Sequence, residues 1–440
     1  MLKRLYAHWM YAWETRLTTR DQNRIVRPLE WGFDWLMPYL QRVGLSEEAQ
    51  RMEARLAAAD SAAQQDAKAL MMAANQAILA DSEQFFAYRT PTDFLLEERA
   101  PQLFPTNVRP ETLRRAQRME QNAAAGKLSP AQFLRFTSPI QTPYAANDRV
   151  NARWFPAEPK PGRPRQAMIV MPQWNADALS HNALCAIFNR FGVSALRLSK
   201  PFHDIRRPAE LERADYAVSA NIGRTLAATQ QAVVDIRCCL DWLQQQGYEQ
   251  FGVLGTSLGS CYAFLASAHD PRLRVNAFNH VSAAFGDVVW TGQSTRHIRQ
   301  GLEDAGLAQE DLRHLWAGIS PMHYYAKFAR HSRGLTAANF AKQVLLIYAR
   351  YDLTFPLEYS LDVLRSFDEH GIVFERRKLP CGHYTTGETP FQYMDGWFLG
   401  SFVYRAFRAL ASEAVPGDGV RAEVSQENAE LVLHGDRKNA

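Results

Sequence analysis

Apolar positions along this chain follow two different periods, and the boundary between them falls near residue 130. Before it the period is helical. Leu2, Leu5, Tyr6, Trp9, Met10, Trp13 and Leu17 recur at helical spacing opposite Lys3, Arg4, Arg16 and Arg20, which predicts an amphipathic opening helix. Ser46 to Ala80 is dense in Ala, Glu, Gln, Arg and Met, all strong helix formers. A further helix is expected from about Pro110 to Ala125, because Pro suits a first turn and Gly126 a stop. Phe85, Phe86, Phe94, Leu95 and Leu96 would dock these helices. Residues 1–129 therefore read as an accessory helical region without a catalytic motif.

Beyond Pro130 short apolar runs alternate with helical stretches. Edge strands are expected around Phe133 to Ile140 and Arg149 to Pro156, the second alternating Val150, Ala152 and Trp154 against Asn151 and Arg153. Ala167 to Met171 reads as a buried parallel strand. A helix from Ala176 to Phe191, a strand from Val193 to Leu198 and a long helix from about Ala220 to Gln246 follow. Two strands come next, one ending near Gly255 and one from Arg274 to Phe285. A helical insertion from about 286 to 334 follows this sixth strand, with helices at His297 to Ala305 and Glu310 to Trp316. The pattern closes with a strand at Val344 to Ala349, a helix at Leu357 to His370, a strand at Ile372 to Leu379 and a helix at Phe391 to Ala411. Such alternation implies an α/β domain over 130–412, a mostly parallel sheet covered on both faces. Residues 413–440 are polar and read as a mobile tail.

Composition changes this picture little. Of 440 residues, 47% are hydrophobic and 22% charged, which is ordinary for a globular protein. A net charge of +4 makes no broad basic field, so nucleic acid is not an expected partner. Cys185, Cys238, Cys239, Cys261 and Cys381 form neither a disulfide framework nor a zinc pattern, which favours a cytosolic setting. No stretch is long and apolar enough to span a membrane. The aromatic, basic-flanked opening helix leaves two readings open: contact with an anionic membrane surface, or packing against the protein's own body.

The chemistry centres on Gly255-Thr256-Ser257-Leu258-Gly259, set between an apolar strand and a helix. Gly-x-Ser-x-Gly is the nucleophile elbow of α/β-hydrolases, a sharp turn that exposes the serine hydroxyl above the carboxyl edge of the sheet. A chain of this length meets the bare motif by chance about one time in eight, so its surroundings decide. An acid and then a histidine must follow. Asp352 stands just past the strand Val344 to Ala349, and His383 just past the strand Ile372 to Leu379. Both loops lie at the carboxyl ends of strands, where open α/β sheets assemble their sites. His383 would take the proton of Ser257, and Asp352 would fix the histidine tautomer. Asp287 is the rival acid. His280 reads as a core histidine.

For the oxyanion, one donor is expected from the N–H of Leu258 and a second from Gln173 or Trp174, after the strand ending at Met171. The segment from Lys200 to Arg207 follows another strand end. Phe202, His203 and Arg206 are candidate substrate contacts there, the basic groups facing a carboxylate or phosphate; a solvated loop is the bland alternative. Trp290 opens the insertion as a candidate lid or acyl-chain wall, or as packing.

Three blocks resemble the eukaryotic α/β-hydrolase-domain-containing protein eighteen family and its bacterial relatives. They are Arg197 to Pro208, Trp242 to Gly259 with Gly247-Tyr248 and the elbow, and Val281 to Ser294 with Trp290-Thr291-Gly292. The resemblance covers about 167–294; the acid and histidine blocks fit α/β-hydrolases generally. It implies the α/β-hydrolase fold, a Ser257, Asp352, His383 triad and acyl-ester hydrolysis as a class. Ser260 departs from the second glycine common in that family, and the oxyanion loop lacks its usual glycines.

These expectations converge on a cytosolic serine hydrolase acting on a carboxylic ester of a lipid or another acylated small molecule, with no metal or organic cofactor. Alternatives are an acyltransferase or amidase with the same triad, or a non-catalytic scaffold whose N-terminal region binds a partner or a membrane.

Overall fold

The computed structural model describes residues 1–60, 62–333 and 341–413. Residues 414–440 of the expected tail, and the expected end of the insertion at residue 334, lie outside the described residues. The chain runs through α1 (Leu2–Thr18), α2 (Met37–Arg42), α3 (Ser46–Ala57), α4 (Ala63–Ala80), α5 (Ser82–Phe85), β1 (Leu95–Arg99) and α6 (Pro110–Ala124). Then come β2 (Ala131–Thr137), α7 (Ala145–Asp148), β3 (Arg149–Phe155), β4 (Gln166–Met171), α8 (Asn182–Phe191), β5 (Val193–Leu198), α9 (Ile222–Gln245) and β6 (Gln250–Thr256). The second half holds α10 (Leu258–His269), β7 (Leu273–Asn279), α11 (Phe285–Thr291), α12 (Arg296–Glu303), α13 (Gln309–Leu315) and α14 (Tyr325–Arg333). It ends with β8 (Gln343–Ala349), α15 (Leu357–Glu369), β9 (Glu375–Leu379) and α16 (Phe391–Glu413).

The strands form a 9-stranded sheet in the order β1-β2-β3-β5-β4-β6-β7-β8-β9. The pairs β1–β2, β2–β3 and β3–β5 are antiparallel. Every pairing from β5 to β9 is parallel. The alternation of strands and helices thus builds the mostly parallel sheet expected of the α/β-hydrolase fold. Successive side chains of a strand feed opposite faces: Ala167, Ile169 and Met171 join one apolar core, Met168 and Val170 the other. The first core also takes in α9 and α10 and the apolar residues of the N-terminal helices, such as Phe33, Tyr39 and Met71. The second lies under α8 and α16 and includes Met10 of α1.

Several boundaries differ from expectation, each for a local reason. The N-terminal region also contributes a strand: Leu95 and Leu96 lie in β1 at the sheet edge and are exposed instead of docking helices. The insertion therefore follows the seventh strand. Ser46 to Ala80 breaks into α3 and α4, where Ala59 takes a positive φ and Asp60 accepts the Ala62 N–H. The helix expected from Ala176 starts only at Asn182, because the Asp177 carboxylate accepts the N–H groups of Leu179 and Ser180 and His181 is left-handed. The strand expected to reach Phe285 stops at Asn279, where His280 turns the chain with φ 57°.

The sheet order also explains where a site can form. After β4 the chain moves to β5 on one side, and after β5 it returns to β6 on the other side of β4. Connections leaving in opposite directions open a crevice at the carboxyl ends of β4 and β6.

Candidate active site

The loop after β4 and the turn after β6 meet at this crevice. Ser257 is the turn residue, at φ 57° and ψ −122°, and its N–H donates to the Asn279 carbonyl at 2.8 Å. The flanking glycines are dictated by contact distance. A Cβ on Gly255 would lie 2.1 Å from the Gly259 carbonyl oxygen, and one on Gly259 would lie 2.2 Å from that of Met171.

Ser257, His383 and Asp352 are brought together. The Ser257 Oγ lies 2.9 Å from His383 Nε2, and His383 Nδ1 lies 2.9 Å from Asp352 Oδ2. An ionised carboxylate only accepts, so His383 Nδ1 carries the proton and Nε2 accepts from the serine hydroxyl. Asp352 is buried and its other oxygen accepts the N–H groups of Thr354 (2.8 Å) and Phe355 (2.6 Å). Burial alone would raise its pKa; the charge of His383 and hydrogen bonds from His280 and His383 outweigh burial and hold it well below the carboxylate range. For His383 burial works downward, while the Asp352 charge and hydrogen bond and the Glu14 charge carry the pKa above the ordinary imidazole value. The Phe355 ring stacks on His383 with centroids 5.0 Å apart, which fixes the imidazole plane.

Two participants escaped the sequence reading. His280 does sit in the core, yet it lines the site: its Nδ1 donates to the same Asp352 Oδ2 at 3.2 Å. Its ring lies 4.4 Å from that of His383, and its buried Nε2 has no hydrogen-bond partner among the described residues. Burial first, then the charge of His383, lowers the His280 pKa. The ligand atoms of His280, Asp352 and His383 lie within 4.8 Å of one another, but both nitrogens of His383 are already engaged. The second participant is Glu14 of α1. It is buried, and its carboxylate accepts the N–H of Tyr384 (2.8 Å) and both the N–H and hydroxyl of Thr385 (3.0 Å each). Burial and then the charge of Asp352 raise its pKa.

Leu258, Gln173 and Trp174 border the same cavity. Leu258 opens α10, so its N–H is among those a helix leaves without an internal partner. The Gln173–Asn175 loop is held from several sides. Lys200 Nζ donates to the Gln173 carbonyl at 3.0 Å, the Asn175 N–H donates to His203 Nε2 at 3.1 Å, and the Trp174 indole N–H donates to the Ala214 carbonyl at 3.0 Å. The Trp174 ring also stacks on His297.

The candidate substrate contacts are corrected. Phe202, His203 and Arg206 are buried beneath the loop and do not line the cavity. Arg206 pairs with Asp235 of α9 at 2.9 Å and donates to the carbonyls of Asn147 and Ser199; a guanidinium without solvent needs such partners. Phe202 packs among Trp35, Tyr144 and Tyr216. Trp290 lies under the guanidinium of Arg299, 4.9 Å from its ring centroid, while its neighbours Val288 and Val289 face the cavity. Asp287, the rival acid, is held by Gln309 and Arg313. Basic side chains at the cavity come instead from Arg20, Arg109 and Arg213.

The cavity has a volume of about 1140 Å³. Leu184, Ile187 and Leu399 enter it from the α8–α16 side, and Phe264, Phe278 and Phe367 from the α10–α15 side. Polar side chains line it as well. Among them Asp395 receives Asn279 Nδ2 at 2.9 Å and is pushed up to about 7 by burial.

No family model matches the chain, and no curated protein matches it. Among solved structures it is similar to an esterase of Pyrococcus furiosus, at 13% identity over 63% of this chain and 91% of that one, with a TM-score of 0.41. It is also similar to the acylaminoacyl peptidase of Pyrococcus horikoshii, at 13% identity over 67% of this chain and 48% of that one, with a TM-score of 0.45. A lipase in its open form matches at 14% identity over 62% of this chain and 98% of its own, with a TM-score of 0.44. The chain spans about half the length of the peptidase.

Proposed function

We propose that the protein is a serine hydrolase that cleaves a carboxylic ester through an acyl-enzyme. The observation that carries this reading is the hydrogen-bonded line from Asp352 through His383 to Ser257, opening on a large apolar cavity. Ser257 Oγ attacks the ester carbonyl as His383 Nε2 takes its proton, and Asp352 stabilises the imidazolium. The oxyanion is received by the Leu258 N–H and that of Gln173 or Trp174; one such donor contributes about 3 kcal/mol to the transition state. His383 then gives its proton to the departing alkoxide. A water, losing a proton to His383, attacks the acyl-serine, and His383 returns that proton to Ser257 Oγ as the acid is released. No step is routed through a metal or an organic cofactor.

The cavity favours a lipid or another acylated small molecule, since its volume lies above the usual range of about 300–1,000 Å³ for small-ligand pockets. Kinship with the α/β-hydrolase-domain-containing protein eighteen family belongs to the same proposal. Its support is the three sequence blocks Arg197 to Pro208, Trp242 to Gly259 and Val281 to Ser294. A cytosolic setting is inferred from the five unpaired cysteines.

A fluorophosphonate probe tests the proposal. Wild-type protein is expected to be labelled and Ser257→Ala not; an intact, folded wild type that resists labelling overturns it. A panel of esters of increasing acyl length, compared by kcat/KM, then reads the substrate class.

A further inference from the structure

α1 presents two different faces. Its inner face is the one already described, with Met10, Glu14, Leu17 and Thr18 buried. Its outer face carries a stripe at helical spacing, Leu2 (83% exposed), Leu5 (57%) and Trp9 (51%). The stripe continues inward through rings in contact. Trp9 lies 5.1 Å from Trp13, and Trp13 lies 6.2 Å from Phe391 at the start of α16. Beyond Phe391, α16 carries a second exposed set, Tyr393 (70%), Met394 and Trp397 (72%). Tyr393 and Trp397 also line the cavity that holds Ser257. Two exposed apolar sets, one on α1 and one on α16 at the cavity, are thus linked through the Trp9–Trp13–Phe391 rings instead of being scattered singly over the surface.

The exposed charges of α1 beside this stripe are of one sign, while Glu388 and Asp395 lie near the α16 set. Lys3, Arg4 and Arg16 of α1 are exposed, and the single acid of that helix, Glu14, is buried and turned inward. Aromatic and aliphatic side chains flanked by Lys and Arg, with no exposed acid among them on the helix, suit the boundary of an anionic bilayer. Trp and Tyr in particular settle at headgroup depth. No helix among the described residues is long and apolar enough to cross a membrane, so the contact is peripheral.

We propose that the outer face of α1 and the exposed rim of α16 form one docking surface for an anionic lipid bilayer, with the cavity mouth opening into the contact. An acyl ester would then pass from the bilayer to Ser257 without crossing water. That delivery role rests on the serine-hydrolase reading, whereas the docking itself does not.

The experiment is co-sedimentation of the full chain with vesicles of phosphatidylcholine, with and without phosphatidylglycerol. Wild type is expected to bind the phosphatidylglycerol vesicles roughly tenfold more tightly, with the difference lost at high salt. The pair Leu5→Glu and Trp9→Glu, outside the cavity lining, should weaken vesicle binding by roughly tenfold or more and leave hydrolysis of a soluble short-chain ester within about twofold. Lys3→Glu with Arg4→Glu should remove only the preference for the anionic lipid. Vesicle binding unchanged by the apolar pair overturns the proposal. So does a wild-type dimer that the same pair converts to monomer without altering vesicle binding, which would make the face a contact between two copies. Vesicle binding by a protein that hydrolyses no ester would leave the docking surface standing and overturn the enzymatic reading alone.

Discussion

Glu14 and Thr385 meet across 371 residues of sequence: one carboxylate oxygen of Glu14 takes both the N–H and the hydroxyl of Thr385. The other oxygen takes the N–H of Tyr384, which follows His383 directly. The loop that presents the histidine is therefore closed by an acid from the opposite end of the described chain. In the same helix, Tyr6 donates to the Pro380 carbonyl and its ring meets Tyr351, beside Asp352. α1 thus braces both the acid loop and the histidine loop.

Glu14→Gln should turn one amide N–H toward donors that now face carboxylate oxygens. The expected result is a fall in kcat of about tenfold with KM nearly unchanged, since displacement of a reacting group is felt in the chemical step. The Glu14 charge helps raise the His383 pKa, so its removal should move the acid limb of the kcat/KM profile to lower pH. Unchanged kcat and an unmoved limb would show that Glu14 only fills space.

His280→Gly keeps the left-handed backbone without strain and deletes a donor to Asp352 Oδ2. With one donor fewer, the carboxylate interacts more strongly with His383 and raises its pKa further. The acid limb should therefore move to higher pH, opposite to the Glu14→Gln shift. Loss of the buried hydrogen bond should also cost about 1–3 kcal/mol of stability, read from the denaturant midpoint.

Asp352 itself ties stability to pH. Its folded pKa lies below the ordinary carboxyl value of 3.8, so its contribution is fully present above that value and is lost as the pH falls below it. Asp352→Asn should flatten this acid-side loss in thermal melts. It should also cut kcat by about 10⁴-fold, because His383 would no longer be held in the reactive tautomer.

Arg206→Met should break a fully buried pair and leave Asp235 charged without its partner, at about 3–5 kcal/mol. Adding Asp235→Leu should restore most of that loss. KM for a soluble ester should be the same in wild type and in the double variant, since neither residue faces the cavity. A raised KM would return Arg206 to substrate binding.

The sheet and the Ser257, Asp352, His383 cluster were legible because each residue follows a strand end; the strands before Ser257 and Asp352 are buried apolar runs, whereas the one before His383 is charged and buries only Leu379. Edges were less legible. Leu95 and Leu96 have neighbours that do not distinguish a docking loop from β1, and the sheet edge decided. Arg206 was misread because a buried, paired arginine and a solvent-facing one look alike in sequence. The clue lay in Asp235, a lone acid inside the apolar run Ala232-Val233-Val234-Asp235-Ile236. Glu14 carried a similar clue, four residues after Met10 and three before Leu17 on the apolar face of α1. His280 carried none, since its role depends on a positive φ and on Asp352, 72 residues away.

The embrace of the last loops by α1 has a consequence for biosynthesis. The helix leaves the ribosome before these loops, and its partners Tyr351, Pro380, Tyr384 and Thr385 emerge about 345 to 374 residues after the α1 residues they meet. At about 5–20 residues per second that wait is roughly 20–70 s, with Tyr6, Met10 and Trp13 still uncovered. Ser257 and its elbow can fold well before the end, but a nascent chain stopped short of Thr385 would hold its nucleophile without the clamp. Assembly of the site therefore waits until the loop carrying Tyr384 and Thr385 has been made.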